Sequence, residues 1–390
     1  MQGKSKIYLD HNATTGLSPE VKAAVPLFLE EFGNPSSIHW ASRGPKTWLR
    51  ETRKKVAEAL SVSPLEIVFT SGGSEANNAV IKSVKREGRN EFITTEVEHP
   101  SVLRAFEWLR EQGAVVHFLK VNRQGRIDLE QYQSLLSNRT ALVSVMFANN
   151  ETGVIFPIRE MAAAAHAVGA FFHSDCVQAL GKVPLNLGEL GVDAASFSAH
   201  KFYSLKGTGF LYLKKGFPFE PLIHGGGQER SRRGGTENTL GIAALGVAVE
   251  KLSEIVPRSR RMSELRDDLE ARILSEISDV KITSDEAPRL PNTSSLVING
   301  VDGETLLMSL DLKGFAVSTG AACSSGNPEP SPVLLAIGLS REEAQSSLRV
   351  SLGWDTTKED IDSFLEALKA AVLRIRSLSV ETEEAPSYVG

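Results

Sequence analysis

Hydrophobic and polar positions fall into two regimes along this chain. From about residue 64, short apolar runs rich in β-branched and aromatic residues alternate with longer amphipathic stretches. "EIVFT" (66–70), "EFITTEVEH", "AVVHFLKV", "TALVSVMFANN", "GAFFHSD", "DAASFSAH" and "GFLYLKKG" predict strands. "SGGSEANNAVIKSVKREG", "PSVLRAFEWLREQG" and "IREMAAAAHAVG" predict helices, the second opened by proline and closed by glycine. Strands alternating with helices predict an α/β fold with a mostly parallel sheet covered on both faces. This large domain spans residues 15–255. After a long helical tract, "AALGVAVEKLSEIVPRSRRMSELRDDLEARIL", the pattern changes. "NTSSLVING", "FAVSTG" and "SSLRVSLG" predict strands, and "ETLLMSLDLKG", "PVLLAIG" and "KEDIDSFLEALKAAVLRIRSL" predict helices. They outline a smaller α+β domain over 256–378, joined by residues 1–14. Residues 379–390 form a polar tail, and no internal repeat is visible.

Composition narrows the function. A chain of 390 residues suits two domains, and 41% hydrophobic with 23% charged residues is ordinary for a soluble protein. The net charge of -5 offers no basic field for nucleic acid or an anionic membrane. The opening "MQGKSKIYLDHNATT" lacks a signal peptide's apolar core, and stretches such as "LGIAALGVAV" are too short to cross a bilayer. Two cysteines build neither a disulfide framework nor a structural zinc site. The chain reads as cytoplasmic, with reduced thiols. One of those thiols, Cys323, lies in "TGAACSSGNPEP" (319–330), a Gly-, Ser- and Pro-rich segment with the composition of an exposed, mobile loop. Such a thiol packs nothing, so its placement asks for a chemical reason.

Sites in open α/β sheets sit at the carboxyl ends of strands. Gly72, Gly73 and Ser74 follow the first clear strand and open a helix, which suits an anion held by backbone amides and a hydroxyl; a tight strand-to-helix turn explains them equally well. His99, the pair Asn149 and Asn150, the pair Asp175 and Gln178, and the trio Ser198, His200 and Lys201 end further strand-like runs. Each alone reads as a cap or turn residue. Together on one sheet edge they exceed what core packing asks for. A phosphate cradle, a buried carboxylate and a lysine are what pyridoxal phosphate requires. "HGGGQERSRRGGTEN" (224–238) is either a solvated loop or a second anion contact through Thr236, possible across a dimer interface. Arg349 stands in an apolar strand, where a charge needs a partner, and its fork suits a carboxylate.

These residues resemble the class V aminotransferase family, and closely its NifS/IscS-like cysteine desulfurases. "YLDHNATT", "FGNPSSIH", "TSGGSEANN", "NNETGV", "HSDCVQ", "SFSAHKFYSLKG", "GGGQERSRRGGTEN", "GAACSSGNPEPS" and "LRVSLG" occur in the family's order over nearly the whole chain. The resemblance implies a fold-type-I homodimer that binds pyridoxal 5'-phosphate. Lys201 would carry the cofactor, with Lys206 a nearby rival. Asp175 would face the ring nitrogen and Gln178 the ring oxygen, and His99 would stack on the ring. Gly73, Ser74, Ser198 and His200 would hold the phosphate, with Thr236 supplied by the other subunit. Asn150 would touch cofactor and substrate, and Arg349, helped by Asn34, would bind the substrate carboxylate. Lys201, with His99, would move protons, and Cys323 would take the sulfur of L-cysteine as a persulfide. That sulfur would pass to an acceptor protein such as an iron–sulfur scaffold. Gly16 and "GAACSS" depart from the family's commoner residues without removing a functional side chain. Cys176 reads as a packing residue that faces away from the cofactor.

Other readings compete. A selenocysteine lyase would use the same residues. A transaminase of the same family has no use for the Cys323 loop, and a non-catalytic scaffold would have lost Lys201 or Asp175. A nicotinamide enzyme would open its first βα unit with GxGxxG, which is missing.

Overall fold

The computed structural model describes residues 6–84, 88–319 and 329–383. Its strands are β1 (Ile7–Tyr8), β2 (Ile67–Thr70), β3 (Glu91–Thr95), β4 (Val115–Leu119), β5 (Thr140–Ser144), β6 (Phe171–Asp175), β7 (Ala194–Ser198), β8 (Gly209–Leu213), β9 (Val280–Ile282), β10 (Thr293–Ile298), β11 (Phe315–Ala316) and β12 (Ser347–Ser351). β2 to β8 form one seven-stranded sheet in the order β2-β8-β7-β6-β5-β3-β4. Its pairings are parallel except that β8 runs antiparallel to both β2 and β7.

Alternating side chains of these strands enter different cores, as the two-residue period of a pleated strand demands. Val143, Phe197, Phe210 and Tyr212 join one cluster; Leu142, Ala194, Leu211 and Leu213 join the other. Burial of most of the sheet on both faces explains why its strands read as mainly apolar runs of small, β-branched and aromatic residues rather than as a strict alternation. Phe197 and Phe210 stack at 4.4 Å, and each fully buried aromatic contributes about 1.5–3 kcal/mol of burial energy.

The second body has the antiparallel sheet β12-β10-β9 and the parallel pair β1–β11. Leu9, from the start of the chain, is fully buried in its core with Leu269, Leu348, Phe364 and Leu368. The long helical tract is two helices, Thr239–Glu250 and Ile255–Glu276, divided by the tight turn Lys251–Glu254. Pro257 falls in the first turn of the second helix, where a missing N–H costs nothing, and so marks a start rather than a continuation. β1 and β9 escape the sequence pattern because two or three residues show no period.

Residues 10–15 form a strap between the bodies. His11 N–H donates to Ser351 O at 3.1 Å, and Thr15 N–H donates to His200 O at 2.9 Å. The strap thereby crosses the carboxyl edge of the large sheet.

Candidate active site

The cavity at that edge measures about 380 Å³ and is lined from both bodies. Its size falls within the usual range for small-molecule sites. At one end β2 turns into the helix Gly73–Ser83. Gly72 has φ 153°, and a Cβ on Gly73 would lie 2.6 Å from Val177 Cγ2, so the turn needs both glycines. Gly72 at the N-cap brings no capping side chain, which leaves the helix's first amides to a ligand. Ser74, Ser198 and His200 line the cavity with Gly73. The tight turn and the anion cradle are therefore one structure.

Asp175, the last residue of β6, is buried. Its Oδ1 accepts from Val177 N–H at 2.9 Å and its Oδ2 from Asn77 Nδ2 at 2.7 Å. It has no cationic partner among the described residues. Asn77 also donates to Ser101 Oγ at 2.9 Å, which lies 2.8 Å from His99 Nδ1. Ser101 N–H donates to the same Nδ1 at 3.1 Å, so the neutral ring carries its proton on Nε2. Burial lowers the pKa of His99, as does Lys201, while Asp175 opposes them. The preceding Glu98 anchors this turn: its Oε1 accepts from Met146 N–H at 2.8 Å and Thr95 Oγ1 at 3.0 Å.

β7 ends at Ser198, and the turn Ala199–Lys201 follows. Lys201 Nζ donates to the carbonyls of Asn12 at 2.6 Å and Ala13 at 2.8 Å. Burial, aided by Arg349, brings its pKa down to about 8 against the pull of Asp10 and Asp175. Near neutral pH an appreciable share of this amine is unprotonated and nucleophilic. Burial, with Lys201 and Lys206, holds His200 at about 4, a neutral ring 3.0 Å from Thr14 Oγ1.

Arg349 enters from β12. Its Nη2 pairs with Asp10 Oδ1 at 2.7 Å and its Nη1 donates to Asn150 O at 3.1 Å, while Nε has no hydrogen-bond partner among the described residues. The buried charge therefore has the partner its setting required.

Gly73, Ser74, His99, Asn150, Asp175, Gln178, Ser198, His200, Lys201 and Arg349 all line this cavity. Asn34 does not. It is exposed, and its Oδ1 accepts from Ser36 N–H at 2.8 Å in a local turn. Thr236 lines a separate cleft with Ser71, Glu229 and Arg233. Cys323 lies outside the described residues. Lys206 is exposed and away from the lining, which leaves Lys201 as the cavity's amine. Cys176 is fully buried in the core, and burial pushes its thiol far up, as a packing residue requires.

Sequence reasoning missed Asp10, Asn12, Asn77 and Ser101. Asp10 and Asn12 stand in "YLDHNATT" and Asn77 in "TSGGSEANN", so the motifs held them. No spacing rule brings a strap near residue 12 against strand ends far along the chain.

The site fits pyridoxal 5'-phosphate. An uncapped helix start suits its phosphate, a buried carboxylate without a cation suits its protonated ring nitrogen, and a lysine amine of lowered pKa suits its aldehyde. Fold and site together define a pyridoxal-phosphate enzyme of fold type I.

Comparison with known proteins narrows this class. The model for "Aminotransferase class-V" matches residues 7–364, and the chain belongs to that family. It is 44% identical over 387 residues to "Cysteine desulfurase IscS" of Dictyoglomus turgidum, covering 98% of each chain. It is 45% identical over 379 residues to "Cysteine desulfurase" of Cereibacter sphaeroides, covering 96% of this chain and 97% of that one. Among solved structures, a "NIFS-LIKE PROTEIN" superposes with TM-score 0.87 at 37% identity, over 95% of this chain and 100% of that one. "SspA in complex with cysteine" superposes with TM-score 0.78 at 30% identity, over 89% and 99%.

Proposed function

We propose that this protein is a cysteine desulfurase. It removes sulfur from L-cysteine, releases L-alanine and keeps the sulfur as a persulfide on Cys323. The observation that carries the reading is the convergence of Lys201, Asp175 and the Gly73 helix start on one cavity that also holds Arg349. The pattern of the named relatives supports the sulfur chemistry in particular.

Pyridoxal phosphate, when bound, supplies an electron-withdrawing ring that stabilises negative charge at the substrate's α carbon. Lys201 would hold it through its amine, Asp175 would face the ring nitrogen, and Gly73, Ser74, Ser198 and His200 would take the phosphate. Arg349 grips the substrate carboxylate through its fork, already oriented by Asp10. The Lys201 amine, near its pKa at neutral pH, takes up and returns the α proton. His99, neutral with its proton on Nε2, serves the later proton transfers at that atom. Cys323, as thiolate, attacks the substrate sulfur. The carbon–sulfur bond breaks, a sulfur–sulfur bond forms, and the carbon left behind gains a proton. Cysteine plus enzyme thiol thus gives alanine plus enzyme persulfide with no outside oxidant.

The same reading has two copies pairing, with Thr236 reaching the other copy's cofactor and Asn34 assisting Arg349. Phe32, Ile38 and Trp40 lie exposed near Asn34, an apolar surface of the kind a second copy covers. Sulfur then leaves for an acceptor protein in the cytoplasm, such as an iron–sulfur scaffold or a thiolation carrier.

The test incubates the enzyme with L-cysteine, assays alanine and weighs the intact protein. Wild type releases alanine and gains one sulfur, and Cys323→Ser does neither while keeping its cofactor. Undiminished turnover in Cys323→Ser would sink the reading.

A further inference from the structure

Behind the cavity lies a lysine that the mechanism does not use. Lys182 is 3% exposed and has no carboxylate in ion-pair contact among the described residues. Its Nζ donates to two side-chain amide oxygens, Asn12 Oδ1 at 2.7 Å and Gln178 Oε1. Both amides are buried, so their orientation is settled by their hydrogen bonds. A protonated lysine has donors and no acceptor, and a neutral one still has two hydrogens to give. Protonated, Lys182 obliges both oxygens to face it; neutral, its two hydrogens match the same two oxygens.

The two NH₂ groups must then point elsewhere. Asn12 Nδ2 donates to Asn150 O at 3.0 Å and Thr293 Oγ1 at 2.9 Å, tying the strap to both bodies. Gln178 Nε2 donates to Asn12 O at 3.0 Å, the carbonyl that also receives Lys201 Nζ at 2.6 Å. Two donors, one from Gln178 and one from Lys201, thus converge on a single oxygen at the cavity wall. Reversing the Gln178 amide would set its oxygen there instead, as an acceptor beside the Lys201 nitrogen.

We propose that Lys182 is a positioning residue that fixes the polarity of the Gln178 amide, keeping a donor rather than an acceptor beside the nitrogen of Lys201. The inference rests on the cofactor chemistry assigned to Lys201 and not on sulfur transfer. An acceptor at that point would favour the protonated nitrogen, so Lys182 helps keep the nitrogen's proton easily lost. Burial also draws Lys182 well below an ordinary lysine. The charged or titratable groups around Lys201 are Asp10, Asp175, Arg349, His99, His200 and Lys182 itself; the test alters only Lys182, and the Gln178→Leu background separates its charge from its hydrogen bonds.

The experiment titrates the visible absorption of the pyridoxal-phosphate-loaded enzyme against pH, which reports the proton on the Lys201 nitrogen. In Lys182→Met the midpoint moves up by roughly 0.5–1 pH unit, a three- to tenfold change in the proton equilibrium, the worth of one net hydrogen bond. Lys182→Arg keeps donors only and holds the wild-type midpoint. In a Gln178→Leu background Lys182→Met adds almost nothing, because no amide is left to reverse. An unmoved midpoint in Lys182→Met overturns the proposal, as does a shift of equal size in the Gln178→Leu background, which would mark a through-space charge effect. If Lys182→Met does not fold, Lys182→Gln replaces it, since an amide at 182 offers an acceptor and no longer dictates its neighbours. A wild type without the absorption band would sink the cofactor assignment instead, and a band with no alanine release would sink only the desulfurase reading.

Discussion

One wall of the cavity is the carboxyl edge of the seven-stranded sheet, and the other is the strap of residues 10–15 with Arg349 of β12. The sheet wall takes Gly73, His99, Asp175 and Ser198 from the ends of β2, β3, β6 and β7, each held by a strand or helix buried in the large core. The strap wall has no core of its own. It stands where Leu9 enters one body and Thr15 meets His200 of the other. Groups that would hold the cofactor thus stand on a preformed edge. The group that would grip the substrate, Arg349, depends on two bodies meeting. Damage to the sheet wall should therefore cost cofactor chemistry, and damage to the strap wall should cost substrate binding.

The largest expected effect is on the sheet wall. Lys201→Ala loses the absorption band near ~420 nm that marks a lysine-bound pyridoxal phosphate, and alanine formation falls by at least about a thousandfold. A retained band would move the cofactor's attachment to another lysine. On the strap wall, Arg349→Lys keeps the charge but loses the fork. KM for L-cysteine rises about ten- to a hundredfold while the band stays, matching the loss of a hydrogen bond to a charged group. If the band falls and KM does not change, the division of labour between the walls is wrong.

Smaller effects sharpen the seam. Asn12→Ala removes the side chain that accepts from Lys182 and Asn292 and donates to Asn150 and Thr293. Denaturant unfolding should show a loss of about 2–3 kcal/mol, because buried partners are left unsatisfied. The Asn12 carbonyl beside Lys201 is main chain and survives the change. A stability equal to wild type would mean the strap is not what joins the bodies. The smallest effect crosses the cavity. Capture of pyridoxal phosphate by the cofactor-free enzyme needs the unprotonated Lys201 amine. Its rate therefore rises with pH and levels off near the Lys201 pKa of about 8. Arg349→Met removes a nearby positive charge, so this levelling moves to higher pH. A bend that stays in place would show that burial alone sets the Lys201 amine.

How much of this was legible beforehand differs between the walls. Every strand of the large sheet was visible as a run with several apolar residues, because all but the edge strand β4 are buried along most of their length. The strand-end residues followed, since a βα turn places its side chains within a few residues of the strand that carries them. The strap was legible only as a motif. "YLDHNATT" was quoted for resemblance, yet Asp10 as the partner of Arg349 and Asn12 as the acceptor for Lys201 were not foreseen. Their partners lie far along the chain, and no periodicity encodes such a meeting. Lys182 was passed over for a similar reason: its role appears only once Asn12 and Gln178 stand beside it. Asn34 was expected beside Arg349, but within one chain it serves a local turn.

By itself the sequence determined the alternation of strands and helices, the edge on which the polar strand ends gather, and the residue types able to hold a phosphate, a ring and an amine. These follow from patterning and from turns a few residues long, where local chemistry decides the conformation. The tertiary structure alone decided how far burial lowers the pKa of Lys201, which partner Arg349 meets, and which way each buried amide points. Those depend on desolvation and on hydrogen bonds between segments remote in sequence, and they take their values only when the two bodies close on the strap.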